Sequence, residues 1–137
     1  MTSEPAVSKP IPEPDEASGP FFEGGQRGVF MLMRCSACGT FRLPSRRHCD
    51  RCLSDQYTWE ETSGRGVVRT FAIMHQRYHP GFADELPYNI ALVQLDEGPR
   101  LPTNIVGIDN SEMRVGMPVV ADWEQHSDVA IPKFRPA

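Results

Sequence analysis

Apolar residues in this chain fall into short runs with strand character, not into helical stripes. The run at residues 29–34 (VFMLMR) predicts a first strand. The run at 64–76 (GRGVVRTFAIMHQ) is rich in β-branched and aromatic residues and predicts a second. Residues 88–98 (YNIALVQLDEG) predict a third strand that ends in a turn. Residues 100–108 predict a fourth, with Pro102 marking a bulge or an edge, and 118–125 (PVVADWEQ) the last strong one. Between the last two, DNSEMRVGM reads as a turn or a single helical turn. About five strands in some 65 residues, with no long helix, predict a small β-barrel.

The N-terminal part is different. Residues 1–19 mix prolines with small and acidic residues, and predict a disordered tail that buries too little surface to offset its ordering entropy. Pro20 suits the first turn of a short helix anchored by Phe21 and Phe22. Gly24 and Gly25 weaken that helix by about 1 kcal/mol each relative to alanine, so it must lean on tertiary contacts in this chain or another. The resulting division is a tail over 1–19, a helix and ribbon over 20–60, and a barrel with a C-terminal extension over 61–137.

Composition changes this picture little. Of the 137 residues, 39% are hydrophobic and 23% charged, which is ordinary for a soluble domain. No apolar run is long enough for a membrane span, and the N-terminus does not read as a secretory signal. A cytoplasmic, reducing location is therefore the expectation. The net charge of −4 is concentrated in residues 1–20, which alone carry −3.

All four cysteines lie in RCSACGTFRLPSRRHCDRC, as two Cys-x-x-Cys pairs, Cys35/Cys38 and Cys49/Cys52. In a reducing compartment such pairs point to metal ligation, not to disulfides. Each pair can wrap a tight turn around one ion, and Gly39 permits the left-handed conformation such a turn needs. Leu53 holds the corresponding place after the second pair, which predicts a less regular turn there. Four thiolates suit structural zinc, and iron fits the same ligands. With all four positions filled by sulfur, His48 is surplus and no position is open to a substrate. The site holds a small module together where core burial alone is insufficient.

Several stretches, FFEGGQRGVFMLMRCSACG, LPSRRHCDRC, SGRGVVRTFAIMH, PGFADELPYNIALVQLDEGPRLPTNIVG, VGMPVVADW and PKFRPA, resemble one family. It is the OB-fold acyl-CoA-associated family, in which a rubredoxin-like zinc ribbon precedes an OB fold. The resemblance covers residues 20–137. It implies a mainly β chain with a short N-terminal helix, a four-cysteine ribbon and a five-stranded OB barrel. It also implies a non-catalytic accessory subunit bound to a thiolase-superfamily enzyme: a thiolase, a synthase, or an aldolase that shortens steroid side chains. Such a subunit orders its partner and helps shape the channel for the CoA thioester. Some relatives carry the module fused to a hydratase-like domain; here the tail suggests that any such domain is a separate polypeptide.

His75, Tyr78, His79, Asp84 and His126 form no legible catalytic set. The segment 76–87 is long for a hairpin loop, and Tyr78, His79 and Phe82 on it join Phe21 and Phe22 as candidate partner contacts. Arg42, Arg46, Arg47 and Arg51 cluster around the ribbon. They suit CoA phosphates or an acidic partner surface, and also offset the −2 charge of four thiolates on Zn²⁺. The competing function is single-strand nucleic-acid binding, which OB folds and zinc ribbons both perform. The barrel segment 64–125 carries net −3, the wrong sign for that role.

Overall fold

The structure, a computed structural model, describes residues 10–44 and 46–137. Helix α1 (Gly19–Gln26) is followed by β1 (Phe30–Cys35), β2 (Phe41–Arg42) and β3 (Tyr57–Thr62). These three strands form an antiparallel sheet in the order β2-β1-β3. The remaining strands are β4 (Arg65–Met74), β5 (Tyr88–Leu95), β6 (Arg100–Thr103), β7 (Pro118–Gln125) and β8 (Ala130–Pro136). They form a second antiparallel sheet, β6-β5-β4-β7-β8. A parallel bridge between Ile105 and Phe134 joins its two edges, with Val106 N–H donating to Phe134 O over 2.7 Å.

The second sheet contains the four strands that the sequence marks over 64–125, and β8 completes it as the fifth. Its run AIPKFRP contains two prolines and a lysine, which hide its strand character. It forms because Phe134 is fully buried and Ala130 packs inward with it. Along β5, Asn89, Ala91, Val93 and Leu95 point inward while their neighbours point out, the period of a half-buried strand.

The ribbon and the larger sheet share one core. Phe21 of α1 meets Phe30 of β1 and Trp123 of β7, each at 5.4 Å between ring centroids. Phe30 also meets Phe134 of β8 at 5.8 Å. Aromatic pairs at these distances add to the burial of their own area. Gly24 and Gly25 of α1 make this packing possible. A Cβ on Gly25 would lie 2.5 Å from the Trp123 ring, and one on Gly24 would lie 2.7 Å from Met31 Cγ. The support that this weak helix requires therefore comes from its own chain.

One sequence-based reading changes here. Phe21, expected at a partner interface, is only 4% exposed and belongs to the chain's own core. Its neighbour Phe22 packs against that core and is half-buried. Of the expected tail, residues 1–9 lie outside the described residues, and 10–17 are exposed with no helix or strand. At its end, Asp15 Oδ1 accepts from Ser18 N–H (2.8 Å) and the Ser18 hydroxyl (2.9 Å). These two bonds hold the Asp15 carboxyl below its ordinary pKa, the Ser18 N–H first. No helix among the described residues is long and apolar enough to cross a membrane.

Candidate functional site

The four cysteines converge at the tip of the ribbon. Cys35 ends β1, Cys38 lies in the turn to β2, and Cys49 and Cys52 lie in the turn before β3. All four Sγ atoms lie within 4.8 Å of one another. Cys35–Cys52 and Cys38–Cys49 are 3.5 and 3.6 Å apart. Disulfide sulfurs lie at about 2.05 Å, so these are free thiols. Tetrahedral Zn–S bonds of about 2.3 Å place sulfurs about 3.8 Å apart, so the cluster fits one tetrahedral ion with little adjustment.

The two turns are built alike. Gly39 N–H donates to Cys35 O (2.9 Å) and Leu53 N–H to Cys49 O (3.0 Å). Cys35 N–H donates to Thr40 O, and Cys49 N–H to Ser54 O, at 2.9 and 2.8 Å. Gly39 has φ +78° and Leu53 has φ +66°, the one positive-φ residue that is not glycine among the described residues. The second turn is thus as regular as the first, contrary to the sequence-based expectation. The penalty falls on the Leu53 backbone, whose Cβ disfavours this conformation.

Hydrogen bonding divides the thiols. The Thr40 hydroxyl and then its N–H draw metal-free Cys38 down to about 6. Cys35 is lowered as well, chiefly by the Cys38 N–H. The Ser54 N–H favours the Cys52 thiolate, yet Cys35, burial and the other two thiols together push Cys52 up to about 12. The metal-free cluster therefore retains protons that a bound cation must displace.

Arg42, expected to contact phosphate or a partner, is only 2% exposed. Its Nη1 donates to Ser54 O over 3.1 Å, and its guanidinium lies 5.0 Å over the Tyr57 ring. It ties the second cysteine turn to β2 and cannot reach an external ligand. Arg46, Arg47 and Arg51 are exposed, but they do not form one group. Arg46 and Arg51 line a cleft of about 530 Å³ together with Arg100, and Arg46 and Arg47 line a second depression on the β3 side. Arg100 opens β6 and was not among the residues singled out by sequence, because nothing in the pattern brings position 100 next to position 51.

The segment 76–87 contains a 3-10 turn at Pro80–Glu85. His79 Nδ1 accepts from Gly81 N–H over 2.9 Å, and its ring meets Phe82 at 5.8 Å. Phe82 meets Tyr88 at 6.0 Å, which joins the loop to the start of β5. Tyr78 is 69% exposed and projects from the loop. His126 lies elsewhere, with Nε2 2.8 Å from Glu124 Oε1, so the candidate catalytic residues are not brought together.

Residues 22–58 match the rubredoxin-like zinc ribbon domain of ChsH2, and residues 59–124 match its C-terminal OB-fold domain. The chain belongs to the ChsH2 family. Its sequence is 38% identical to a chain of the Ltp2-ChsH2(DUF35) aldolase structure, with a TM-score of 0.79 over 92% of this chain and 98% of that one. It is 34% identical to a DUF35 domain-containing scaffold protein of Methanocaldococcus jannaschii, over 70% of this chain and 68% of the relative. A probable enoyl-CoA hydratase alpha subunit of Thermomonospora curvata is 39% identical over 97% of this chain. A 3-oxo-4,17-pregnadiene-20-carboxyl-CoA hydratase alpha subunit of Mycobacterium tuberculosis is 30% identical over 96%. The chain spans only 41% and 40% of the lengths of those two subunits. A DUF35-family protein of unknown function from Sulfolobus solfataricus, 20% identical with a TM-score of 0.63, shares the fold. The ChsH2 ribbon is thus the element that positions the four thiols, and the OB-fold sheet carries the long loop.

Proposed function

We propose that this chain is a non-catalytic accessory subunit that binds and stabilises a thiolase-superfamily enzyme, a thiolase or retro-aldolase acting on an acyl-CoA. Steroid side-chain thioesters are one substrate class for such a complex. The observation that carries this reading is the likeness to a chain of the Ltp2-ChsH2(DUF35) aldolase over nearly the full length of both chains. The scaffold and CoA-hydratase names of other relatives agree with it. The four thiols hold structural zinc, which keeps the ribbon folded in a reducing, cytoplasmic setting. The partner contacts come from the 76–87 loop, with Tyr78 as the exposed anchor and His79 and Phe82 as its support, and from Phe22 on α1. The same loop borders the channel through which the CoA thioester reaches the partner's active site.

Co-expression with a thiolase-superfamily enzyme, followed by affinity purification and an acyl-CoA turnover assay, tests the reading. A stable hetero-oligomer, with activity that depends on both chains, is expected. Turnover by this chain alone at the rate of the complex, or failure to bind any such enzyme, would overturn it.

A further inference from the structure

We propose that the outer edge of β4 over Thr70–Met74 is a self-association site, where a second copy of this chain adds its own β4 in antiparallel register. The inference does not depend on the accessory-subunit reading. On one side β4 pairs with β5 from Gly66 to Met74. On the other side β7 covers only Arg65–Val67, and Val68 exchanges backbone hydrogen bonds with Gly116 and Met117. After the bulge between Val68 and Thr70, β4 runs on through Met74 with no strand on its outer side among the described residues. The backbone groups that point outward there have no partner among the described residues.

Such an edge is a template for another strand, and proteins blunt it with charge, proline or a covering element. The other strand edges of this fold are blunted. β3 carries Glu60 and Glu61, β6 carries Arg100 and Pro102, and β2 is only two residues long. The half of β7 beyond β4 carries Asp122 and Glu124 and lies under α1, whose Phe21 packs on Trp123. β8 is bridged at Phe134 to Ile105. The stretch from Thr70 through Phe71, Ala72 and Ile73 to Met74 has no charge, no proline and no glycine. Thr70 and Ala72 are exposed, and Phe71, Ile73 and Met74 are only half-buried, although Phe71 packs on the core.

The same residues decide which strand fits. Charge complementarity is what selects a foreign partner, and this edge offers none. It does complement itself. A two-fold axis through Ala72, normal to the sheet, sets Thr70 against Met74 of the second copy, Phe71 against Ile73, and Ala72 against Ala72. Inner residues then stay on the inner face. Phe71 and Ile73 meet there as an aromatic and β-branched pair, which is favoured across strands, and symmetry forms it twice. Isologous two-fold contacts are the commonest form of homodimer. Five residues of strand span about 17 Å, so the contact is smaller than the roughly 1,200–2,000 Å² of a tight complex. The dimer is therefore weak and reversible.

Sedimentation equilibrium of the full, zinc-loaded chain without any partner tests the proposal. A monomer–dimer equilibrium with Kd on the order of 100 µM is expected. Ala72→Lys and Ala72→Glu each put like charges face to face at the two-fold axis, and each should weaken the dimer at least about tenfold. An equal mixture of the two variants should dimerise at least as well as the wild type, because opposite charges then meet. Val115→Lys, at an exposed site outside the edge, should change nothing. The Ala72 side chain is in solvent, and zinc content with thermal midpoint identifies any variant that misfolds. Hydrogen exchange within 70–74 should slow as the protein concentration rises. A wild-type chain still monomeric at about 1 mM overturns the proposal. So do two charge variants that dimerise like the wild type, or a mixture no tighter than either variant alone. A monomeric chain whose 70–74 amides are protected only when a thiolase-superfamily enzyme is added also overturns it, and assigns the edge to that enzyme.

Discussion

Asn89 pairs its side-chain amide with both backbone groups of Ile105: Nδ2 donates to Ile105 O over 2.8 Å, and Oδ1 accepts from Ile105 N–H over 2.7 Å. Asn89 is 5% exposed and Ile105 3%. The side chain thus takes the part of a strand where the ladder between β5 and β6 has ended, and Ile105 goes on to bridge Phe134. Asn89→Leu keeps the volume but leaves a buried N–H and a buried C=O unpaired. Each costs about 1–3 kcal/mol, so chemical denaturation should show a loss of roughly 2–5 kcal/mol. Asn89→Asp restores only the acceptor and should recover less than half of it.

Metal removal should unfold the ribbon. One zinc per chain is expected from the four-thiol site, and Cys38→Ser or Cys49→Ser should give aggregation or a large drop in thermal midpoint. Acidification should act in the same direction as a chelator. With Cys52 near 12 in the metal-free protein, at least one proton must leave when zinc binds at neutral pH. Apparent affinity should therefore fall by at least about tenfold for each unit the pH drops. A pH-independent zinc affinity would contradict this thiol ordering.

Leu53→Gly should stabilise the protein. Leu53 holds φ +66° with its side chain 75% exposed, so little packing is lost on truncation. The left-handed conformation costs a non-glycine residue about 1–2 kcal/mol, and the extra chain entropy of glycine offsets about 0.5–1 of it. A net gain of roughly 0.5–1 kcal/mol should appear in denaturant titrations at saturating zinc.

Phe21 and Tyr78 should separate folding from binding. Phe21→Ala removes the ring that joins α1 to β1 and β7, and should cost about 3–5 kcal/mol of stability. Tyr78→Ala should leave stability within about 0.5 kcal/mol, because the side chain is largely in solvent. If Tyr78 is an interface anchor, complex formation should weaken by about 2 kcal/mol. A stable Phe21→Ala variant, or a Tyr78→Ala variant with unaltered partner affinity, would refute the corresponding half.

The cysteine site was legible without coordinates because its information is local. Two short turns, each closed within five residues, carry all four ligands, and no long-range packing is needed to pair Cys35 with Cys38 or Cys49 with Cys52. The strands of 64–76 and 88–98 were legible for the same reason, since β-branched and inward–outward patterns are written along each segment. Tertiary structure decided what depends on sequence separation. Phe21 became core because Phe30 and Trp123 enclose it from two different sheets. β8 became a strand because burial of Phe134 outweighs two prolines. Arg42 and Arg51, nine positions apart, went to opposite fates, one sealed behind Tyr57 and one facing a cleft with Arg100. Exposure is a property of the surroundings that close over a side chain, and those surroundings come from distant parts of the chain.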